Sequence, residues 1–402
     1  MDWLDVACWA IAAVWVIVVA NELRRMGAVR VLPPLGSAPP PAPGVSVIVP
    51  ARDEAAHIEG TVRGLLRQRH VDLEIIVADD RSADATGDIV DAIAREDSRV
   101  RRVRVDALPE GWLGKCHACH RAAAGARREW LLFTDADIRM DDDVIARAVA
   151  EGERAGAAQV ALSPVPRTST FWSRAAMTFL NKMLLMIGAA SNLGRPNAYI
   201  GIGAFNLIRA DAYRAAGGHE PLRLEIVDDM KIGLLVRRAG LRSLCMFGGG
   251  AVRADWGASL GQIVRLLEKN HFAALGYSAP RAAGALILFL IFWMGAALAP
   301  LTLRPAGFAA FGGLLLTILP AYLIGRRTGG RLAEAMVSPI TMPVLIWSMA
   351  RSAFLTLRRG GVRWRETFYP LAMLREHHRL LHSREIPAAS ASSAPAPEPI
   401  SP

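Results

Sequence analysis

WLLFTDAD, residues 130–137, runs four apolar residues straight into two carboxylates separated by one alanine. Such a run, with no polar alternation, fits a strand covered on both faces by helices. VSVIVPA (45–51), LEIIVADD (73–80), RVRRVRVD (99–106) and QVALSPV (159–165) also read as strands. Helix-like segments lie between them, around 53–68, 84–96, 116–127 and 142–155. Repeated strand–helix alternation predicts an α/β domain with a doubly wound, mainly parallel sheet.

In open α/β sheets ligands bind beyond the carboxyl ends of the strands. Three of the strands end in acidic or polar groups: Ala51-Arg52-Asp53-Glu54, Asp79-Asp80-Arg81-Ser82 and Asp135-Ala136-Asp137. A single carboxylate on a turn is ordinarily a solvated surface group; repetition at strand ends points to a site. Mg²⁺ or Mn²⁺ held by one or two carboxylates completes its shell with substrate phosphates. A D-x-D at a strand end can place two carboxylates beside one diphosphate. Asp141-Asp142-Asp143 reads instead as a solvated helix start favoured by the helix dipole.

The 402 residues suffice for one sizeable domain with appendages, or for two domains. A hydrophobic fraction of 52% implies membrane segments. Lys and Arg exceed Asp and Glu by 47 to 37, and arginines cluster beside apolar runs at 24–25, 326–327 and 358–359. That placement favours anionic lipid over nucleic acid as the partner of the charge.

Trp3 to Ala20 is an apolar run that at ~1.5 Å per residue can just span a bilayer. Arg24 and Arg25 put its C-terminal side in the cytoplasm. A Pro-rich linker follows over Leu32–Gly44. Residues 171–190 carry Arg174, Asn181 and Lys182 and suit an amphipathic helix on the membrane or over the active site. Ala282–Leu303 and Ala306–Ile324 read as spans. Residues 335–357 contain Pro339, Pro343 and Arg351; a third crossing would strand the basic stretch after Leu357 outside, so a re-entrant or interfacial segment is expected. The resulting division is an anchor (1–25), a linker (26–44), a catalytic domain (45–280), membrane segments (281–360), and a basic amphipathic segment with a low-complexity tail (361–402).

Four cysteines are too few for a disulfide framework. Cys116-His117-Ala118-Cys119-His120 has the C-x-x-C-H form of a c-type haem attachment, but such haem is attached on the far side of the membrane from the cytoplasm. Zinc binding by the same residues is sterically awkward, because i and i+3 share a helix face while i+1 points elsewhere. The stretch reads as a helix of small, packable residues behind Lys115, with neither haem nor nucleic acid as a partner.

VSVIVPARDEAAHI, IIVADDRSADAT, GWLGK, FTDAD and EIVDDMKIG occur in the order and spacing of family 2 glycosyltransferases. Over about residues 45–275 the chain resembles that family, which has the Rossmann-like GT-A fold. GWLGK and the C-terminal membrane segments are most similar to the hopanoid and carotenoid branch. The resemblance implies that Pro50, Ala51, Arg52 and Glu54 line a nucleoside pocket and that Asp80 contacts the base. It implies Lys115 at the diphosphate, Asp135 on the nucleotide, and Asp137 with Asp135 on Mg²⁺ or Mn²⁺. Asp229 takes the place of the catalytic base, preceded by Asp228 where the family often has Glu; the residues themselves fit equally a helix N-terminus with favourable carboxylates. The family often has Asn at Asp53, a change of little expected effect.

Gly201-Ile202-Gly203-Ala204 suits a close approach of backbone to sugar or acceptor. His219 is either a satisfied turn residue or a group reaching donor or acceptor. Gln262-Ile263-Val264-Arg265-Leu266 echoes the Q-x-x-R-W element of processive synthases, with Leu266 replacing the Trp that lines their polymer channel. Lys269-Asn270 follows, as in the lipid-linked branch, and Trp256 is either an acceptor contact or a packing residue.

The expected protein is a membrane-anchored, metal-dependent, inverting glycosyltransferase. It would move a sugar from a nucleotide sugar, in this family most often a UDP-sugar, to a lipid or polyisoprenoid-type acceptor. Its place would be the bacterial inner membrane, with the catalytic domain on the cytoplasmic side. The alternatives are a processive polysaccharide synthase, against which Leu266 speaks, and a non-catalytic GT-A-fold binding protein, against which Asp135, Asp137 and Asp229 speak.

Overall fold

The computed structural model describes residues 2–36, 42–255 and 259–383. Part of the Pro-rich linker, Trp256 and the low-complexity tail lie outside the described residues. The strands, in chain order, are β1 (Arg30–Val31), β2 (Ala42–Ala51), β3 (Val71–Asp80), β4 (Val100–Val105), β5 (Trp130–Phe133), β6 (Arg139–Met140) and β7 (Gln159–Ser163). After them come β8 (Val165–Arg167), β9 (Asn206–Arg209), β10 (Ser243–Phe247), β11 (Val252–Asp255), β12 (Gly361–Trp364) and β13 (Thr367–Pro370).

Eight of these strands form one sheet in the order β1-β10-β7-β9-β5-β2-β3-β4. All its pairings are parallel except the two made by β9, which is antiparallel to both β5 and β7. The apolar runs are continuous because helices cover both faces. Val47 and Val49 of β2 pack with Ile75, Val77 and Leu132 on one side. Ile48, between them, packs with Ile76, Leu131 and Phe133 on the other. The helices Ile58–Leu66, Thr86–Glu96, Gly114–Ala124 and Val144–Ala155 fall within a few residues of the segments expected between strands.

The Gly114–Ala124 helix contains the C-x-x-C-H stretch. Ala118, Cys119 and Ala122 pack on the Ile48 and Ile76 face. Cys116 sits with Leu113, Phe272 and Tyr277 in a separate cluster. His117 and His120 stand against the Trp112 ring, at centroid distances of 5.4 and 5.0 Å. All four cysteines are free.

Among the described residues, four helical segments are long and apolar enough to cross a membrane: Trp3–Ala28, Ala279–Thr302, Pro305–Thr328 and Ser338–Arg359. The first and third pack through small residues. A Cβ at Gly313 would stand 3.1 Å from Trp15 Cβ and 3.3 Å from the Ala12 carbonyl, a close backbone approach of the kind that joins membrane helices. Cys8 fills the same seam with Ala299, Ala306 and Ala310.

The fourth segment differs from the others at its flanks, both of which are tied to the part of the chain between β8 and the second segment. Glu334, just before it, accepts from Arg174 Nε at 2.9 Å. Arg351 and Arg359, within it, reach the two oxygens of Glu268 at 3.0 and 2.9 Å.

The polar residues of the helix Phe171–Asn192 turn inward. Lys182, buried, lies 2.8 Å from Glu22 of the N-terminal helix, and Asn181 accepts from Ser163 at 2.6 Å. This helix thus ties the N-terminal helix to the sheet and to the C-terminal helices.

Past Arg359, where composition suggests only a basic amphipathic segment, the chain folds back on the catalytic domain. β12 and β13 pair as a hairpin, and the helix Leu371–His382 follows. Val362, Tyr369, Leu371 and Leu374 bury against Leu113, Cys116 and Phe272.

Candidate active site

Parallel pairing in register brings the carboxyl ends of β2, β3 and β5 together, with Pro50 opposite Ala78 and Ile48 opposite Phe133. A cavity of about 380 Å³ opens there. Pro50, Ala51, Arg52, Glu54, Asp80, Lys115, Asp135 and Asp137, all expected at the site, line it.

Three loop features shape this wall. Asp53 (φ 54°) and Arg81 (φ 58°) adopt left-handed backbone just past β2 and β3. Asp and Asn tolerate that region better than most residues, which fits an Asp53/Asn exchange of little effect. Asp53 Oδ1 accepts from the Ala83 amide at 2.8 Å and ties the two turns together. Asp80 is buried and takes both a 2.8 Å and a 3.1 Å bond from the Arg81 guanidinium.

Lys115 stands in the first turn of the Gly114–Ala124 helix, and its Nζ lies 2.7 Å from Asp135 Oδ1. Burial opposes its charge, but Asp135, Asp228 and Asp229 outweigh burial and hold its pKa well above the usual lysine value. Asp137, two residues on from Asp135, makes no ion pair among the described residues. Burial and the adjacent Asp135 raise its pKa to about 6. The donor set of two carboxylates facing one cavity fits a hard divalent cation and phosphate oxygens.

The antiparallel β9 supplies what the parallel strands cannot. The chain leading into it, from Gly201 to Asn206, passes the end of β5, where the Asp135 amide donates to the Gly203 carbonyl at 3.1 Å. In turn the Gly203 amide donates to Asp229 Oδ2 at 2.7 Å. The Asp229 carbonyl accepts from Asn206 at 3.2 Å. A side chain at Gly201 would collide with the Asp229 carbonyl. The glycine-rich stretch therefore serves the approach of backbone to Asp229.

Asp228 and Asp229 open the helix Asp228–Arg238, so both expected readings hold together: a helix start, and carboxylates beside the site. They diverge from there. Asp229 borders the recess between Gly203, Lys115 and Asp135. Burial and the charge of Asp228 raise its pKa to about 6. Asp228, only 4% exposed, borders the same recess but lies against His219. Burial works against its charge, but Lys115 and His219 bring its pKa below the ordinary value.

Other lining residues stand out in the sequence without a place in this cavity, or do not stand out at all. Leu266, Lys269 and Asn270 come from the segment after β11, and Trp364, Arg365, Thr367 and Tyr369 from the hairpin. Lys269 Nζ sits 3.8 Å over the Trp364 ring. Burial and then Lys115 lower its pKa to about 8. Arg365 lies 3.1 Å from Glu54 and 3.5 Å from Asp53, and Arg52 lies 3.1 Å from Glu366. The alternation in GVRWRETFYP was the available signal for a hairpin.

A mainly parallel α/β sheet with carboxylates and a lysine at its strand ends has its polar groups where such sheets bind ligands. Residues 46–217 match the model of glycosyl transferase family 2. The chain is 24% identical over 212 residues to 4,4'-diaponeurosporenoate glycosyltransferase of Staphylococcus haemolyticus, covering 52% of this chain and 55% of that one. It is 27% identical over 180 residues to beta-monoglucosyldiacylglycerol synthase of Trichormus variabilis, covering 44% and 38%. The chain thus spans about half or less of these relatives. Mannosyltransferase PcManGT from Pyrobaculum calidifontis, solved in complex with GDP-Man and Mn²⁺, superposes with a TM-score of 0.54 at 19% identity, over 88% of this chain and 98% of that one. The fold is GT-A, and the part of the chain that resembles family 2 glycosyltransferases is the part that carries the central sheet.

Proposed function

We propose that this protein transfers a sugar from a nucleotide sugar to a lipid or polyisoprenoid-type acceptor, with inversion at the anomeric carbon. The observation that carries the reading is the placement of Asp229. Its carboxylate is fixed by the Gly203 amide at 2.7 Å, beside the Lys115–Asp135 pair, in a recess that shares Pro50, Lys115 and Asp135 with the cavity. A base with a pKa near 6 is ionised at neutral pH yet basic enough to take a proton in the transition state.

In this reading Pro50, Ala51, Arg52 and Glu54 flank the nucleoside, with Asp80 behind the base. Lys115 directs its ammonium at the diphosphate, and Lys269 supplies a second cation from the opposite wall. Asp135 and Asp137 would hold Mg²⁺ or Mn²⁺, which when bound neutralises charge on the diphosphate. Asp229 accepts the proton of the acceptor hydroxyl while that oxygen attacks the anomeric carbon. The diphosphate leaves from the opposite face through an oxocarbenium-like state, and the lysines stabilise the negative charge growing on the leaving group. One displacement inverts the configuration. GDP-Man and Mn²⁺ bound together in PcManGT support a nucleotide sugar and a divalent ion here. UDP remains the family-level expectation for this chain.

The membrane setting supports a lipid acceptor, as do the names of the two relatives, one for a carotenoid acid and one for a glycolipid. The segments 3–28, 279–302 and 305–328 cross, and 338–359 lies within the near side, because both its flanks bind the catalytic domain. Arg25, Arg326 and Arg327 then share the cytoplasmic face of a bacterial inner membrane with the active site. Arg304 pairs with Asp2 and Asp5 at the far end. Purified protein incubated with a panel of nucleotide sugars and extracted bacterial lipids tests the reading. It should release nucleoside diphosphate and add one hexose mass to a lipid; donor turnover yielding only water-soluble polymer would refute it.

A further inference from the structure

His219 is fully buried, is absent from the cavity wall, and has one ring nitrogen, Nε2, with no hydrogen-bond partner among the described residues. An unpartnered polar atom in a core costs stability unless it faces something that uses it. Its surroundings fix which proton it carries. The Tyr213 hydroxyl accepts the backbone N–H of His219 at 3.1 Å, and the same oxygen lies 2.7 Å from ring Nδ1. The hydroxyl keeps its own hydrogen free to donate to Nδ1, and that direction is taken in the proposal below. A neutral imidazole then carries its proton on Nε2. That N–H faces Asp228, whose Oδ2 stands 3.6 Å away, just beyond hydrogen-bond length.

The ring is held at this angle from two sides. Phe133 at the end of β5 packs on it with centroids 4.9 Å apart. Gly217 (φ 82°) and Gly218 (φ 60°) bend the chain over Tyr213, and a Cβ at Gly218 would press on the tyrosine ring at 3.0 Å. The Gly-Gly-His turn is thus built to hold the imidazole behind the carboxylate pair.

We propose that His219 is a positioning residue for glycosyl transfer: its Nε2–H keeps Asp228 against the imidazole, so that Asp229 alone takes the Gly203 amide and serves as base. The proposal rests on Asp229 being the base. Without that hold, Asp228 is free to turn outward. It would then compete with Asp229 for Lys115 and for the Gly203 amide, the two groups that orient the base. His219 touches no reacting atom and acts only through Asp228.

The test combines ring ¹⁵N NMR of the wild-type full chain with kinetics of H219Q, H219F, Y213F and D229N. Nδ1 should be unprotonated and Nε2 protonated. H219F and Y213F should lose at least about tenfold in kcat with donor KM and nucleotide affinity within about twofold, the signature of misplacement rather than lost binding. H219Q, whose amide can donate from near the Nε2 position, should stay within about threefold. A proton on Nδ1, or wild-type kcat in H219F, overturns the proposal even where D229N is inactive. Full activity in D229N removes the base reading and this proposal with it. Cys119 Sγ also lies within 4.8 Å of ligand atoms of His219 and Asp228. Stoichiometric zinc in the wild type that is lost in H219F would likewise overturn it, making the cluster a metal site.

Discussion

Lys115 Nζ and Asp135 Oδ1, from a helix start and a strand end 20 residues apart, meet at 2.7 Å on the cavity wall. In the proposed reaction the pair offers a diphosphate a fixed cation whose own position is held by the carboxylate of the D-x-D. A pre-oriented cation acts on charge that develops as the leaving group departs.

Replacing Lys115 by Met should therefore lower kcat by about 10²–10³ while the protein stays folded. Arg at this position should recover part of the loss. Steady-state turnover with donor in excess, alongside circular dichroism, checks both.

Asp229, raised to about 6, sets the pH dependence. The base works ionised, so kcat should rise with pH through about 6 and level off above it. A profile flat from pH 5 to 8 would remove Asp229 from the rate-limiting proton transfer. The profile is measured with saturating donor and acceptor.

Asp137 offers a stability test with the opposite sign from an ordinary salt-bridged carboxylate. Its folded pKa, about 6, lies above the unfolded value. Its charge therefore costs stability at neutral pH, and that cost fades as pH falls below about 6. In metal-free buffer at pH 7.5, D137N should raise unfolding stability by roughly 1–2 kcal/mol, allowing for solvent at the cavity. The same variant should abolish transfer. Thermal unfolding in EDTA and an activity assay with Mn²⁺ read the two effects.

Trp364 seats Lys269 over its ring at 3.8 Å, and both line the cavity proposed to hold the donor. W364A should weaken nucleotide-sugar binding by about three- to tenfold, the size of a partly desolvated cation–π contact. W364F should retain most of the affinity. Titration calorimetry with the full chain distinguishes them.

The parallel strands and the residues at their ends were legible in the sequence for a physical reason. Doubly covered strands such as VSVIVP and WLLF must be continuously apolar, and the carboxylates that break those runs must lie at their ends. β9 left no such mark: NLIR is four residues long, and its antiparallel insertion between β5 and β7 is decided by distant partners. The hairpin was hidden by connectivity, since it follows the membrane segments yet closes a cavity begun at Pro50. His219 could be placed in a Gly-Gly turn, but only the fold puts that turn behind Asp228. The segment 338–359 has the length of a span, whereas its flanking ion pairs, unreadable in sequence, hold both of its ends to the domain.

The most direct test of the central claim is product formation by wild type and D229N under identical conditions. Each is incubated with nucleotide sugar, Mn²⁺ and lipid extract, then assayed by mass spectrometry of the lipids and by nucleotide affinity. The account predicts a hexose-bearing lipid from the wild type and none from D229N, with nucleotide affinity unchanged within about twofold. Wild-type levels of glycolipid from D229N would contradict it.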